Sequence, residues 1–168
     1  SYSTIVRCSF DPNDKQVSPV GIDSGGFVFK DTRLDYRIRF QNTGNDTAYR
    51  VQVIDTLSNL LDYSSFQFID ASHEVVTELK PNGELSFTFD NIFLVDSTTN
   101  EPASNGYVDF SISPISGLPD STEVRNKAAI YFDFNPPVIT NEVLTTFGYI
   151  ITSIKENRTE LKASISPN

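Results

Sequence analysis

Oxygen-bearing side chains gather in two turn-like segments of the sequence, and their chemistry suits a hard cation. Asp11, Asn13 and Asp14 fall within four consecutive positions, and Asp133 and Asn135 flank a phenylalanine just before a Pro-Pro pair. Calcium takes about six to eight oxygen ligands, which two loops at one end of a fold can supply. These five residues therefore predict a calcium site, although the glycine and the terminal glutamate of an EF-hand loop are missing. The alternative is that they cap the backbone of their own turns, and the sequence suggests no other cofactor.

Three further side chains could form a covalent cross-link if the fold brings them together. Asp55 and Asn126 alternate in phase with apolar neighbours that should face the core, which are Val51 and Val53 for the first and Val124, Ala128 and Ile130 for the second. A buried polar group needs a partner. Lys15 lies on or before the first predicted strand, and a lysine amine can condense with an asparagine amide beside a carboxylic acid that burial keeps protonated. Lys15, Asp55 and Asn126 are therefore candidates for an isopeptide bond, and hydrogen bonding of Asn126 to the backbone is the alternative.

Residues suited to enzymatic catalysis do not form a recognisable motif in this sequence. His73 is the only histidine, and no serine or cysteine near it lies in a sequence context typical of a nucleophile. Asp and Glu are numerous, but the two carboxylates of a glycosidase are defined by their separation in space rather than by their spacing in the chain. We therefore predict that the protein is not an enzyme, and we expect His73 at the surface or at a strand end.

The elements that must position these side chains are β-strands. Residues 34–41 and 49–53 alternate apolar and polar side chains, and the break between them is Asn42-Thr43-Gly44-Asn45-Asp46. A period of two around such a break is typical of an antiparallel pair with one buried and one exposed face. No comparable window carries an apolar stripe at helical spacing. The same alternation returns in four further segments, at residues 65–69, 85–89, 108–112 and 124–132.

Turn signals between the apolar runs indicate how the strands are connected. Lys80-Pro81-Asn82-Gly83-Glu84 predicts a hairpin turn. Pro19 predicts that the first strand, at residues 16–20, lies at a sheet edge, and residues 57–63 have the irregular apolar pattern of a crossing between two sheets. About seven to nine short strands result, at the spacing expected of an immunoglobulin-like fold. We therefore predict an all-β, immunoglobulin-like antiparallel β-sandwich.

Length and composition fit one such domain with short appendages. The chain has 168 residues, among them 13 Phe and 7 Tyr that supply bulk for a core. A net charge of −9 argues against binding to nucleic acid or to anionic lipid, and no apolar stretch approaches the roughly 20 residues of a membrane helix. We predict the sandwich over residues 11–148, a lead-in or linker strand at residues 1–10, and a C-terminal strand and linker at residues 149–168.

Longer motifs fall within and between the predicted strands. They are Asp11-Pro12-Asn13-Asp14-Lys15, Tyr36-Arg37-Ile38-Arg39-Phe40-Gln41-Asn42-Thr43-Gly44, Val53-Ile54-Asp55-Thr56-Leu57, Phe89-Asp90-Asn91-Ile92 and Asn126-Lys127-Ala128-Ala129-Ile130-Tyr131-Phe132-Asp133-Phe134-Asn135-Pro136-Pro137. Together they resemble a domain found near the C-terminus of large secreted Bacteroidota proteins that the type IX secretion system exports. The chain also resembles, more distantly, the "conserved repeat" adhesin domains of bacterial surface proteins, which share the Asn-Thr-Gly turn.

The resemblance implies an exported protein. In that family a type A sorting domain usually follows, and Ser164-Ile165-Ser166-Pro167-Asn168 is similar to its opening. The resemblance thus implies an extracellular or cell-surface location and a non-catalytic structural or interaction module, such as a stalk, spacer or filament-assembly unit. Its partners would be neighbouring domains or identical subunits, contacted through sheet edges or terminal strands. The alternative is an adhesin domain that binds glycans or another ligand, and we expect neither nucleic acid binding nor membrane insertion.

Ser97 is the one modification site that we single out. It lies in a polar segment at residues 96–105, and Asp96-Ser97-Thr98 is similar to the Asp-Ser/Thr acceptor sites of Bacteroidota O-glycosylation. Because the segment is polar, we expect this loop to be exposed, which makes Ser97 a glycosylation candidate.

Overall fold

A computed structural model of the chain describes residues 12–148. Asp11, the predicted lead-in strand and the predicted C-terminal strand and linker lie outside this part. The described residues form twelve strands and one short 3-10 turn at Pro102–Ser104. The strands are β1 Lys15–Ser18, β2 Phe27–Val28, β3 Leu34–Gln41, β4 Ala48–Thr56, β5 Leu61–Ala71, β6 Val76–Leu79, β7 Glu84–Leu94, β8 Asn105–Pro114, β9 Thr122–Asn126, β10 Ala128–Phe132, β11 Val138–Ile139 and β12 Val143–Phe147. No helix in this part is long and apolar enough to cross a membrane.

The strands form three sheets that confirm the predicted all-β sandwich. One sheet has the order β1-β3-β8-β5, a second has the order β11-β10-β4-β7-β6, and a smaller third has the order β2-β12-β9. The pairs are antiparallel except for β12 with β2, which run parallel. Twelve strands exceed the expected seven to nine because several are only two to five residues long.

Aromatic side chains from the two larger sheets fill the space between them. Phe87 of β7 packs on Phe110 of β8 with ring centroids 5.7 Å apart, and Phe40 of β3 meets Phe89 of β7 edge-on at 5.2 Å. All four rings are fully buried. Burial of one such side chain stabilises the fold by about 1.5–3 kcal/mol, so the alternation seen in the sequence produces the core directly.

The apolar run at residues 124–132, predicted as one strand, is two strands in different sheets. β9 pairs with β12, whereas β10 pairs with β4 and β11, and the change of partner occurs at Lys127. Burial continues through the change with a period of two, because Val124, Asn126, Ala128 and Ile130 all face the core. Asn126 is therefore the last residue before the chain changes sheets.

Two other expectations concern the edges of the four-stranded sheet. The prediction that the first strand lies at a sheet edge is confirmed, because β1 is the outermost strand of this sheet, although β1 spans Lys15–Ser18 and ends before Pro19. The chain crosses between the two large sheets after β4, as expected for residues 57–63, but β5 already starts at Leu61. β5 is the other outermost strand, so Phe68 and Ile69 remain exposed.

Candidate functional site

Three strands bring Lys15, Asp55 and Asn126 toward one place in the core. Lys15 is the first residue of β1 and lies opposite Ile38 of β3. Asp55 lies near the end of β4 and opposite Ala128, two residues after Asn126. The three residues are 1%, 0% and 3% exposed, so the prediction that Asp55 and Asn126 point into the core is confirmed.

Lys15 and Asp55 form an ion pair with no contact to solvent. The Lys15 Nζ donates to Asp55 Oδ2, and both side chains have 0% exposure. The same Nζ lies over the ring of Tyr36 at 4.7 Å and over that of Phe110 at 5.5 Å. Burial lowers the pKa of Lys15, and the charge and hydrogen bond of Asp55 oppose this effect. The aromatic walls thus make the neutral amine easier to form than it is in water.

Asn126 is buried beside this pair without a well-formed hydrogen bond of its own. Among the described residues, neither Asn126 Nδ2 nor Asn126 Oδ1 has a partner, and Asp55 Oδ1 has none either. The Asn126 amide lies near enough to the Tyr36 hydroxyl to lower the pKa of Tyr36 slightly, but this contact does not have the geometry of a hydrogen bond. An unsatisfied buried polar group costs about 1–3 kcal/mol, so three such atoms in one cluster are a costly arrangement.

Tyr36 lies at the centre of the cluster. Its own burial and the negative charge of Asp55 raise the pKa of Tyr36, and the neighbouring Asn126 opposes them weakly. Its ring also stacks on Phe110 at 5.1 Å. The phenol therefore stays protonated and acts as an apolar wall with one hydroxyl.

Asn141 holds the backbone of Lys15 from the opposite side. Its Nδ2 donates to the Lys15 carbonyl oxygen at 3.0 Å, and its Oδ1 accepts from the Lys15 N–H at 2.9 Å. Sequence reasoning missed this contact, because the two residues are far apart in the chain and no spacing rule connects them. The clamp fixes the direction in which the Lys15 side chain enters the core.

The residues predicted to bind calcium are engaged with donors of the protein. Both Asp14 oxygens accept from the Arg39 guanidinium at 2.6 Å, and Asn13 Oδ1 accepts from the backbone N–H of Gln41 at 3.1 Å. The hydrogen bond to Asp14 is the largest cause that raises the pKa of Arg39. This half of the predicted site thus lies against the end of β3.

The other half of the predicted calcium site lies beside β4. Asp133 Oδ1 accepts from the backbone N–H groups of Tyr49 and Arg50 at 2.9 and 2.8 Å, and Asn135 is exposed in the turn that follows. Within residues 12–148, no three His, Cys, Asp or Glu side chains are arranged to hold a metal ion. Calcium binding by Asn13, Asp14, Asp133 and Asn135, with Asp11 outside the described part, stays a prediction.

The loop that carries Ser97 is organised by Asp96. Asp96 Oδ1 accepts from the backbone N–H groups of Thr98 and Thr99 at 3.0 and 2.9 Å, and Oδ2 accepts from the Thr99 hydroxyl at 2.6 Å. Asp96 is itself buried and Ser97 is half-buried, whereas Thr98 is exposed. The loop is thus less exposed at Ser97 than its polarity suggests, and glycosylation of Ser97 stays a prediction.

His73 lies half-exposed in the bend after β5, which is the surface or strand-end position expected for it. Its Nδ1 is 2.8 Å from the Ser72 hydroxyl. The Ser72 Oγ also accepts from the backbone N–H of Tyr107 at 2.9 Å, across the β5–β8 pair. The Ser72 hydroxyl thus contributes to the pairing of β5 with β8.

Exposed aromatic rings form a second feature that sequence reasoning did not identify. Tyr49 and Phe93 meet edge-on with ring centroids 5.5 Å apart, and more than half of each side chain is exposed. Phe134, in the turn after β10, is fully exposed. The only sequence signal was the position of Phe134 beside a Pro-Pro pair, which marks a turn rather than a core.

The fold is similar to domains of bacterial pilins. The chain matches the major pilin subunit BcpA of Bacillus cereus at 16% identity and a TM-score of 0.57, covering 80% of this chain and 39% of that one. It matches the major pilin SpaA of Corynebacterium diphtheriae, described as a modular pilus assembly with stabilising isopeptide bonds, at 15% identity and a TM-score of 0.53, covering 82% and 39%. These values indicate a shared β-sandwich fold.

A third similar structure is a C-terminal fragment of the major pilin GBS80 of Streptococcus agalactiae. The identity is 12% and the TM-score is 0.55, with 81% of this chain and 56% of that fragment covered. The chain thus spans between about two fifths and just over half of the three chains it matches. No curated protein matches this sequence. A family model covers residues 11–146, and the chain accordingly belongs to the DUF7619 family, described as a domain of unknown function.

Proposed function

We propose that this chain is a non-catalytic structural module of an exported cell-surface or secreted bacterial protein, in which it acts as a stalk, spacer or filament-assembly unit next to a type IX sorting signal. The observation that carries the proposal is that the described part of the chain begins at one end of the sandwich, at Pro12, and ends at the other, at Gly148. A module with this geometry extends a protein lengthwise.

Contacts at the two ends define this geometry. The β3–β8 pair runs from Leu34 opposite Ile112 at one end to Gln41 opposite Asn105 at the other. Pro12 lies beside Gln41 and Asn105. At the opposite end, Gly148 approaches Asp120, which pairs with Lys30 just before β3. The entry and exit points are therefore separated by the length of the β3–β8 pair.

The first and last described strands run side by side in the same direction. Lys15 at the start of β1 is held by Asn141 just before β12, and further along the carbonyl oxygens of Val20 and Leu144 both lie against Gly26. A pull on the two ends is therefore directed along β1 and loads its backbone hydrogen bonds to β3 together. Breaking several bonds at once needs more force than breaking them one after another, which suits a load-bearing module.

Outer strands offer sites for contact with neighbouring modules. β6 and β11 end the five-stranded sheet, and Val76, Val138 and Ile139 on them are exposed. An outer strand presents unpaired backbone groups that a strand of another domain can complete. Neighbouring domains or identical subunits are the partners that we propose, and the resemblance to type IX cargo domains supports an extracellular location.

Single-molecule pulling of tandem copies of the full chain tests the mechanical role. The expected result is a sharp unfolding peak at clearly higher force when the chain is pulled from its two ends than when it is pulled from Asn82 and an end, because the second geometry peels the β6–β7 hairpin away strand by strand. Equal forces in both geometries would contradict the proposal.

Antibody labelling of intact cells that make the parent protein tests the extracellular location. The expected result is labelling of intact cells, and labelling that appears only after the cells are lysed would contradict this location.

A second candidate function is ligand binding by an adhesin-type surface, and the exposed aromatic rings favour it. Tyr49 and Phe93 form an exposed pair, and Asp133, next to Phe134, is hydrogen-bonded to the Tyr49 backbone. A polar crevice of about 260 Å³ adjoins Tyr49 and Asp133. Sugar rings stack on exposed aromatic faces, so a glycan is the ligand class that this surface fits.

A glycan array with the wild type and with a Tyr49→Ala, Phe93→Ala double variant tests this candidate. The expected result is a set of hits that the double variant loses, while Ile69→Ala, an exposed apolar change on the other sheet, keeps them. An array without hits for the folded wild type would exclude glycan binding.

A further inference from the structure

We propose that Lys15 and Asn126 are joined by an intramolecular isopeptide bond between Lys15 Nζ and Asn126 Cγ, formed within the folded chain with Asp55 as the acid and base. This inference does not depend on the proposed function, because it concerns chemistry inside the domain.

The first argument is the pattern of satisfied and unsatisfied atoms. Asn42, another buried asparagine, donates from Nδ2 to the carbonyl oxygens of Asp46 and Leu94, both at 2.8 Å, and accepts from the Gly44 N–H at 3.1 Å. Asn126 is buried to a similar degree, yet within the described part of the chain both of its polar atoms lack a partner. Nearly all buried polar atoms in folded proteins are hydrogen-bonded, so the unpaired amide of Asn126 needs an explanation. A covalent bond to Lys15 explains it, because the amide nitrogen would then leave as ammonia.

The second argument is the chemistry of the surrounding groups. Lys15 Nζ lies over the rings of Tyr36 and Phe110 and donates to Asp55. Burial penalises an ammonium and a carboxylate, so transfer of one proton from Lys15 to Asp55 converts the pair into a neutral amine and a neutral acid. A neutral amine has the free electron pair that attack on an amide requires, and the acid can donate a hydrogen bond to the amide oxygen.

The reaction then balances without any further reactant. The Lys15 nitrogen forms a bond to Asn126 Cγ while the Asp55 acid donates a hydrogen bond to Asn126 Oδ1. Asp55 relays a proton from the Lys15 nitrogen to Asn126 Nδ2, the bond from Cγ to Nδ2 breaks, and one molecule of ammonia leaves. The products are a secondary amide and ammonia, with no change of oxidation state. The new amide carries no ammonium charge, so the cost of burying that charge disappears.

The bond would connect parts of the fold that the backbone leaves separate. Lys15 belongs to the four-stranded sheet, and Asn126 lies where the chain passes from the small sheet to the five-stranded one. The cross-link closes a loop from residue 15 to residue 126, which contains most of the described strands. A pull from the two ends would then pass from Lys15 directly to Asn126, and the strands inside this loop could not extend.

Intact mass of the purified full chain, shown to be folded by near-ultraviolet circular dichroism, is the decisive measurement. The wild type should be lighter than its sequence mass by one ammonia, and a tryptic digest should contain a branched peptide that joins residues 15 and 126. A folded wild type with the unmodified mass would overturn the proposal. The wild-type result stands by itself even if some variants do not fold.

Three variants assign the chemistry. Lys15→Met and Asp55→Ala should have their full sequence masses, and Asn126→Asp should lose water in place of ammonia because the leaving group is then a hydroxyl. Loss of ammonia can also come from cyclisation of an asparagine side chain onto the following backbone nitrogen, at Asn82-Gly83 or Asn105-Gly106. The Lys15→Met variant and the branched peptide distinguish this reaction from the proposed bond. If Lys15→Met still loses ammonia and the wild-type digest contains no branched peptide, the proposal is wrong.

The pulling experiment gives an independent check. Without the cross-link, unfolding releases the whole described chain, whereas the closed loop withholds a contour length on the order of 400 Å. Lys15→Met should therefore lengthen the extension by about this amount relative to the wild type. Equal extensions in the two proteins would contradict the bond. Because the bond would carry the load past β1, the dependence of the force on pulling direction is compared in Lys15→Met, where it tests only the structural role.

Discussion

The side chain of Asn141 and the backbone of Lys15 form two hydrogen bonds, one in each direction, at 3.0 and 2.9 Å. The pair joins the segment before β12 to the first residue of β1. It also determines where the Lys15 side chain enters the core, because the backbone of a strand fixes the direction of its side chains.

The first prediction concerns this clamp. Asn141→Ala removes both hydrogen bonds and should lower the free energy of unfolding by about 1–3 kcal/mol, measured by urea denaturation in the Lys15→Met background, which has no cross-link. Asn45→Ala, in the exposed turn after β3, is the matched control and should change stability by less than about 0.5 kcal/mol. Equal effects of the two substitutions would show that the clamp contributes nothing.

The second prediction concerns the Asn-Thr-Gly turn. Asn42→Ala removes the amide that binds the carbonyl oxygens of Asp46 and Leu94 and leaves both without this donor. The loss should be about 2–3 kcal/mol in the free energy of unfolding, measured by chemical denaturation. Thr43→Ala, at the exposed next position, serves as the control, and a stability loss no larger than that of the control would refute the role of Asn42.

The third prediction concerns the aromatic core. Phe87 is fully buried against Phe110, so Phe87→Ala should cost about 3–5 kcal/mol through lost burial and the cavity left behind. Phe134→Ala removes the same side chain at a fully exposed position and should change stability by less than about 0.5 kcal/mol. Thermal unfolding of both variants measures the difference, and a destabilised Phe134→Ala would mean that this ring packs against something in solution.

The fourth prediction concerns acid stability. Hydrogen bonds from the Thr98 and Thr99 hydroxyls, followed by their backbone N–H groups, lower the pKa of Asp96 from 3.8 to about 2. Because the folded-state pKa is the lower one, the contribution of Asp96 to stability is present above pH 3.8 and is lost as the pH falls toward 2. Melting temperatures of the wild type should therefore decline through this window.

Two variants isolate the contribution of this loop. Asp96→Asn should flatten the decline between pH 4 and pH 2, because position 96 then has no carboxylate to be protonated. Thr99→Val, which removes only the hydroxyl donor to Oδ2, should flatten it partly. If both variants decline as steeply as the wild type, the acid sensitivity comes from other carboxylates.

The sequence was most informative where one face of a strand is buried. The alternation at Leu34, Tyr36, Ile38 and Phe40 predicted both the strand and its buried face, because a period of two places every second side chain on the same side. It was less informative at β5, where Phe68 and Ile69 remain exposed. There the strand lies at a sheet edge, and no residue of β5 marks this position in the sequence as Pro19 does for β1.

Asp55 and Asn126 show how far the same rule reaches for the candidate site. The phase of the alternation predicted that both polar side chains face the core, and both are buried. The change of sheets at Lys127 was missed, because burial continues unchanged through it while only the backbone partner changes. Local patterning therefore identified polar residues in the core but not the strands beside them.

The amino-acid sequence by itself determined the all-β class, the buried faces of the strands and the presence of charged and amide groups in an apolar interior, because each of these follows from the order of neighbouring residues. Only the tertiary structure decided that Lys15 meets Asp55 beside the rings of Tyr36 and Phe110, that Asn141 holds the Lys15 backbone, and that Asn126 has no hydrogen-bond partner among residues 12–148. The physical reason is that strand pairing joins residues far apart in the chain, and alternation specifies which face a side chain occupies without specifying its neighbour.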